Sequence, residues 1–346
     1  MTAAWHLEQS DSAWNWQAGL SLGFSRRGER TVLDRLSHRG PLRIQRPFLP
    51  EGPECPHVYI LHPPGGLVSG DHLRLEAHLG SDASALLTTP SSGKFYRARD
   101  NGTLQTQHNR FVLGEGASLE YLPQDTIAFE GCNARLITQL DVHGSARFCV
   151  ADLLCLGRPA AAEGFSRGRV EQQLDVRRDG RPLYIERNRF IGGEELLQAR
   201  WGLGGALVAG TWLATLTLER DQLDSLRAEF EAVTQIAFTQ RHGLLIARYL
   251  GHEAEHARNT FIRLWQRLRP LINGREACPP RIWNTCQSFH SPKRCRLSLS
   301  SARYWRSSSG ESRRPMELIA RPRTQSQALS SPDTQPCSMA YSSPWE

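Results

Sequence analysis

Apolar and polar residues alternate with a period of two along most of this chain, the spacing of strands with one buried face. Within residues 14–49 the pattern predicts strands at 19–24, 31–36 and 42–44, with Arg26-Arg27-Gly28-Glu29-Arg30 as the turn between the first two. A short apolar run at 58–61 leads into His62-Pro63-Pro64-Gly65-Gly66-Leu67-Val68-Ser69-Gly70-Asp71. Its two prolines fix φ and withhold two donors, and its three glycines allow positive φ or a close backbone approach. Neither a helix nor a central strand runs through such a segment, so it reads as a long rigid turn that ends in a carboxylate. Alternation resumes at 73–79 (Leu73, Leu75, Ala77, Leu79), and 84–89 is a strand closed by Pro90. Strands follow at 104–113 and 117–122, split by Gly114-Glu115-Gly116, then at 127–129 and 135–142. Residues 147–156 are almost continuously apolar apart from Asp152. Residues 169–176 and 182–190 form a hairpin around Arg178-Asp179-Gly180-Arg181.

Period 3.6 enters only late. Asp221 is placed to N-cap a helix with Leu223, Leu226, Phe230 and Val233 on one face. A strand pair fits Ala237 and 244–250. A second helix fits 253–268, with the stripe Ala257, Phe261, Leu264, Trp265 and Leu268, and Pro270 ends it. The fold class is therefore mainly β with two C-terminal α-helices. From Cys286 the chain turns rich in Ser, Arg and Pro without periodicity, the composition of a disordered segment or of translation in a wrong frame past an end near Thr285. The organisation expected is a β-rich domain at 1–285 and a low-complexity tail at 286–346.

Charge changes the picture little. The net charge of +7 is uneven: from Cys286 onward 9 Lys and Arg face 4 Asp and Glu, leaving 33 against 31 before it. A near-neutral body gives no basis for a nucleic-acid partner. The eight cysteines contain no CxxC pair, which fits reduced thiols in the cytoplasm. Residues 1–16 carry His6, Glu8 and Asp11 where a signal peptide needs an apolar run. The uncharged stretch 201–218 has about the minimum length for a membrane span. Its glycines (202, 204, 205, 210) favour two buried strands instead, so no membrane association is expected.

Two motifs invite chemistry. Ser92-Gly93-Lys94 hints at a phosphate loop, but Thr88 stands where its first glycine belongs and Phe95 where Ser or Thr would ligate magnesium. His252-Glu253-Ala254-Glu255-His256 matches the H-E-x-x-H pattern of zinc hydrolases, with Glu276 as a conceivable third ligand. Helical spacing turns both histidines away from Phe261 and Leu264, so a solvated helix face is the expected role. The metallohydrolase remains the alternative reading, and a plain β-rich binding module is a third. For Asp152, pairing with an arginine such as Arg158 or capping a turn competes with a functional role, because an unpaired buried charge is costly.

The ten-residue Pro/Gly loop resembles the signature of the urease accessory protein D family, also called H. Lys94-Phe95-Tyr96-Arg97, Leu119-Glu120-Tyr121-Leu122-Pro123-Gln124-Asp125-Thr126-Ile127, Leu156-Gly157-Arg158-Pro159-Ala160, Glu186-Arg187 and Cys278-Pro279-Pro280-Arg281-Ile282-Trp283 are similar to further family motifs in the right order. The resemblance covers about residues 14–285. It implies an elongated, superhelix-like body of stacked strands and a non-catalytic nickel-insertion chaperone. The implied partners are urease apoprotein and accessory proteins F and G. Nickel would be cargo in transit through an internal tunnel, with no permanently bound cofactor. A cation conduit needs oxygen ligands that hold the ion weakly and in series. Asp71, Asp152 and Glu186 are the residues expected to line it, with Asp125 and Glu120 as secondary candidates.

Overall fold

The computed structural model describes residues 17–285; the readings of residues 14–16 and of the tail 286–346 lie outside the described residues. Seventeen strands are present: β1 (Gln17–Arg27), β2 (Arg30–Arg39), β3 (Arg43–Ile44), β4 (His57–Leu61), β5 (His72–Leu79), β6 (Ser84–Thr88), β7 (Gly93–Phe95), β8 (Gln105–Leu113), β9 (Ser118–Tyr121), β10 (Thr126–Ala128), β11 (Asn133–Val142), β12 (Arg147–Leu156), β13 (Arg169–Arg178), β14 (Arg181–Ile191), β15 (Val208–Thr215), β16 (Ile236–Arg241) and β17 (Leu244–Gly251). The α-helices are α1 (Glu195–Gln198), α2 (Arg220–Glu229) and α3 (Ala254–Asn273).

The strands form two sheets. One runs β14-β13-β11-β8-β5-β1-β2; the other runs β16-β17-β15-β12-β9-β6-β4-β3, with β10 bridging β12 and β7. From β4 to β13 the chain shuttles between them, and each return lays a strand parallel to the last: β5 beside β8, β8 beside β11, β11 beside β13 in one sheet. In the other, β4, β6, β9 and β12 pair in parallel in turn. The expected mainly β body with helices near its C-terminal end is thus realised, with strands stacked by successive returns.

Alternation has a direct cause. On β11 every second residue (Ala134, Leu136, Thr138, Leu140, Val142) is buried between the sheets, while Arg135 and Asp141 face out and pair across the sheet with Glu171 and Arg110. The near-continuous apolar run of β12 reflects burial on both faces. Phe148, Val150 and Leu154 join the inter-sheet core, whereas Cys149, Leu153 and Cys155 pack in a second core beneath the helices. That second core is sealed by Phe261, Leu264, Trp265 and Leu268 of α3.

Three local expectations are corrected. Residues 201–218 contain one strand, β15, not two; the preceding glycine-rich part folds into turns after α1. The N-cap of α2 is Glu219 rather than Asp221: Glu219 and Gln222 form a reciprocal capping box, and Val233 falls beyond the helix. Pro270 does not end α3, which continues to Asn273 and stops at Gly274 in a left-handed conformation. Proline removes the bond to the carbonyl four residues back, here that of Gln266 on the exposed side. Burial of Arg269 and Ile272 and a hydrogen bond from Arg147 to the Ile272 carbonyl hold the extra turn.

Candidate functional site

The Pro/Gly loop between β4 and β5 is built as its residues require. Gly65 and Gly70 have φ of +79° and +88°. Gly66 lies so close to β7 that a Cβ there would meet Tyr96 at 2.5 Å. The Leu67 amide donates to the Lys94 carbonyl at 2.8 Å, and the Tyr96 amide donates back to Leu67 at 3.0 Å. Asp71 fastens the far end: its Oδ2 accepts the Val68 amide at 2.8 Å, while its Oδ1 is buried without a partner.

This loop walls one end of a cavity of about 420 Å³ between the sheets, to which His62, Pro63, Gly65 and Leu67 contribute. Asp71 itself does not line the cavity, but its carboxylate acts on His62, whose pKa burial lowers and Asp71 opposes. The rest of the wall mixes apolar side chains with Gln107, Asn109, Thr138 and Asp152. These polar residues occupy inward positions where the strand pattern calls for apolar ones. The Asn109 amide donates to Thr138 at 3.2 Å. Across the sheet, Asn188 donates to Gln172 at 3.2 Å and to Glu186 at 3.1 Å.

Asp152 shares the inward face of β12 and pairs in register with Thr211 of β15. Burial pushes its carboxyl up to about 6; a hydrogen bond with Gln172 opposes this and the charge of Glu186 adds to it. Arg158, the partner considered from sequence, is engaged by Glu163 instead. Glu186 accepts hydrogen bonds from Tyr184 at 2.6 Å and Thr211 at 3.1 Å. Arg248, largely exposed, stands 3.8 Å from it. A polar seam therefore crosses an otherwise apolar interior, from the loop end of the cavity through Asp152 to Glu186.

The secondary candidates are placed differently. Glu120 faces α3, where Arg269 holds it at 2.8 Å and Trp265 Nε1 donates to it at 2.6 Å. Asp125 accepts from Arg258 of α3 and from Ser92, both at 3.1 Å. The H-E-x-x-H residues do not share a helical face: His252 precedes α3, Glu253 is its N-cap, and His256 Nδ1 bonds Tyr249 Oη at 2.8 Å. Sequence reasoning missed Gln107, Asn109, Thr138, Gln172, Asn188 and Thr211. The signal was there in β8, where Gln105, Gln107 and Asn109 continue the phase of Phe111 and Leu113. Among the described residues no helix is long and apolar enough to cross a membrane.

Residues 17–284 match the family described as UreD urease accessory protein. A urease accessory protein UreD from Dechloromonas aromatica is 45% identical over 293 residues, 82% of this chain and 100% of that protein. One from Saccharophagus degradans is 42% identical over 278 residues, 78% of this chain and 93% of that protein. One from Nitrosococcus oceani is 45% identical over 277 residues, 78% of this chain and 91% of that protein.

Proposed function

Because the chain belongs to the UreD urease accessory protein family, we propose that it is a cytoplasmic, non-catalytic scaffold that passes nickel to urease apoprotein in a complex with accessory proteins F and G. The observation that carries this reading is the polar seam between the sheets, with two carboxylates set in an apolar interior. Amide and hydroxyl oxygens bind a divalent cation weakly, and a carboxylate at intervals compensates its charge. Such a series lets an ion advance, where a thiolate cage would retain it. The route proposed begins at the loop end near Asp71 and His62, crosses Asp152 and leaves past Glu186. Glu120 and Asp125 are left off it because they face α3, hydrogen-bonded to its Arg269 and Arg258, and neither lines the cavity. Nickel is cargo on this reading, and no resident cofactor is needed.

The test uses purified chain, urease apoprotein, accessory proteins F and G, GTP and nickel. In Asp152→Asn and Glu186→Gln the complex should copurify as in wild type while urease activation is lost. Normal activation by both variants overturns the route.

A further inference from the structure

A second cluster lies on the opposite face of the ten-stranded sheet, beneath α3. Glu51, Cys55 and His57 each bring a metal-ligand type of atom within 4.8 Å of the others. Cys55 and His57 are buried, and Glu51 is only 11% exposed at its side chain. His57 Nε2 stands 2.6 Å from Glu51 Oε1. Its Nδ1 is buried and has no partner. A histidine oriented through one nitrogen by a carboxylate, with the other nitrogen bare, has the arrangement of a metal-binding imidazole and its supporting carboxylate. An orphaned ring nitrogen in a dry interior is otherwise a cost with no return.

The charges agree. Arg269, fully buried, reaches Glu51 at 2.6 Å and Glu120 at 2.8 Å. Two carboxylates thus face one guanidinium, and the cluster has room for further positive charge. A thiol that ligates a cation does so as the thiolate, its proton displaced by the ion. A divalent ion and a thiolate together add one net positive charge, which balances the cluster.

We propose that Cys55, His57 and Glu51 form a binding site for one thiophilic divalent cation, which ties the segment before β4 to α3 through Arg269. Cys55 Sγ and His57 Nδ1 are the ligands, and Glu51 orients the imidazole. Binding releases the thiol proton to solvent. The site is separate from the inter-sheet cavity and does not depend on the nickel route.

The full chain, stripped with chelator, is titrated with cobalt(II) as a spectroscopic probe and with zinc. Wild type should take one equivalent with a sulfur-to-cobalt charge-transfer band, and zinc should raise its Tm. Cys55→Ser should lose both effects while keeping the wild-type circular dichroism, and His57→Gln should bind about tenfold more weakly or worse. Should either variant fail to fold, alkylation of wild type decides: in urea held just below the unfolding midpoint, where Cys55 is transiently exposed, zinc should slow its modification by iodoacetamide, as read by mass spectrometry. Absence of the band in wild type, its persistence in Cys55→Ser, or alkylation of Cys55 unaffected by zinc each overturns the proposal in favour of a proton on His57.

Discussion

Gly66 shows how one missing methyl group sets the loop. Its backbone sits against Lys94 and Tyr96, so Gly66→Ala forces the loop off β7. We expect a loss of about 1–3 kcal/mol, read as a lower denaturation midpoint. Asp152 carries a different signature. Its folded pKa lies above that of an unfolded aspartate, so its ionisation opposes folding. That penalty is absent below about pH 4, grows as pH rises towards 6, and is constant above it. Asp152→Asn should therefore be more stable than wild type at pH 7, by up to about 3 kcal/mol, with the gap shrinking as thermal melts are taken down to pH 5. Nickel capture needs the ionised form, so on the proposed route activation by wild type should fall as pH drops through 6. Sequence marked Asp152 because a lone acid interrupts an apolar run. It could not separate Glu120 and Asp125 from the route, because their guanidinium partners lie on a helix more than a hundred residues away.

At the level of elements, α3 acts as both cover and counter-ion. Its Leu264 and Trp265 complete the second core, and its Arg269 pairs with both Glu51 and Glu120. Arg269→Ala leaves two buried carboxylates unmatched and should cost about 3–5 kcal/mol, measured by urea denaturation. Strands were legible wherever one face meets solvent, as in β5, β11 and β13, because alternation records that geometry. The hairpin between β13 and β14 was equally plain, and Asp179 and Gly180 do take the positive φ its turn requires. The stretch 201–218 was not, because burial and turn packing both yield an uncharged, glycine-rich sequence. The continuation of α3 past Pro270 was hidden for a related reason: tertiary burial of Arg269 and Ile272 outweighs a local breaker.

For the described chain as a whole, the pairing of strands was the part least visible in sequence. Each parallel neighbour lies a full sheet crossing away, so no local pattern names it, and the stacking was supplied by family resemblance. The seam was hidden with it, since Asp152 and Glu186 approach only when β12 and β14 are brought together from different sheets. Such non-local pairing also predicts slow folding; refolding followed by stopped-flow fluorescence should extend into the range of seconds.

One consequence reaches into biosynthesis. The outer face of β12 and β15, with Cys149, Leu153 and Trp212, has its cover in α3, and α3 leaves the ribosome after every strand among the described residues. Until then the nascent polypeptide displays a greasy slab to its surroundings. Emergence of α3 is accordingly the step that covers it, and chains terminated and released after Glu253 should sediment with aggregates where those terminated and released after Thr285 do not.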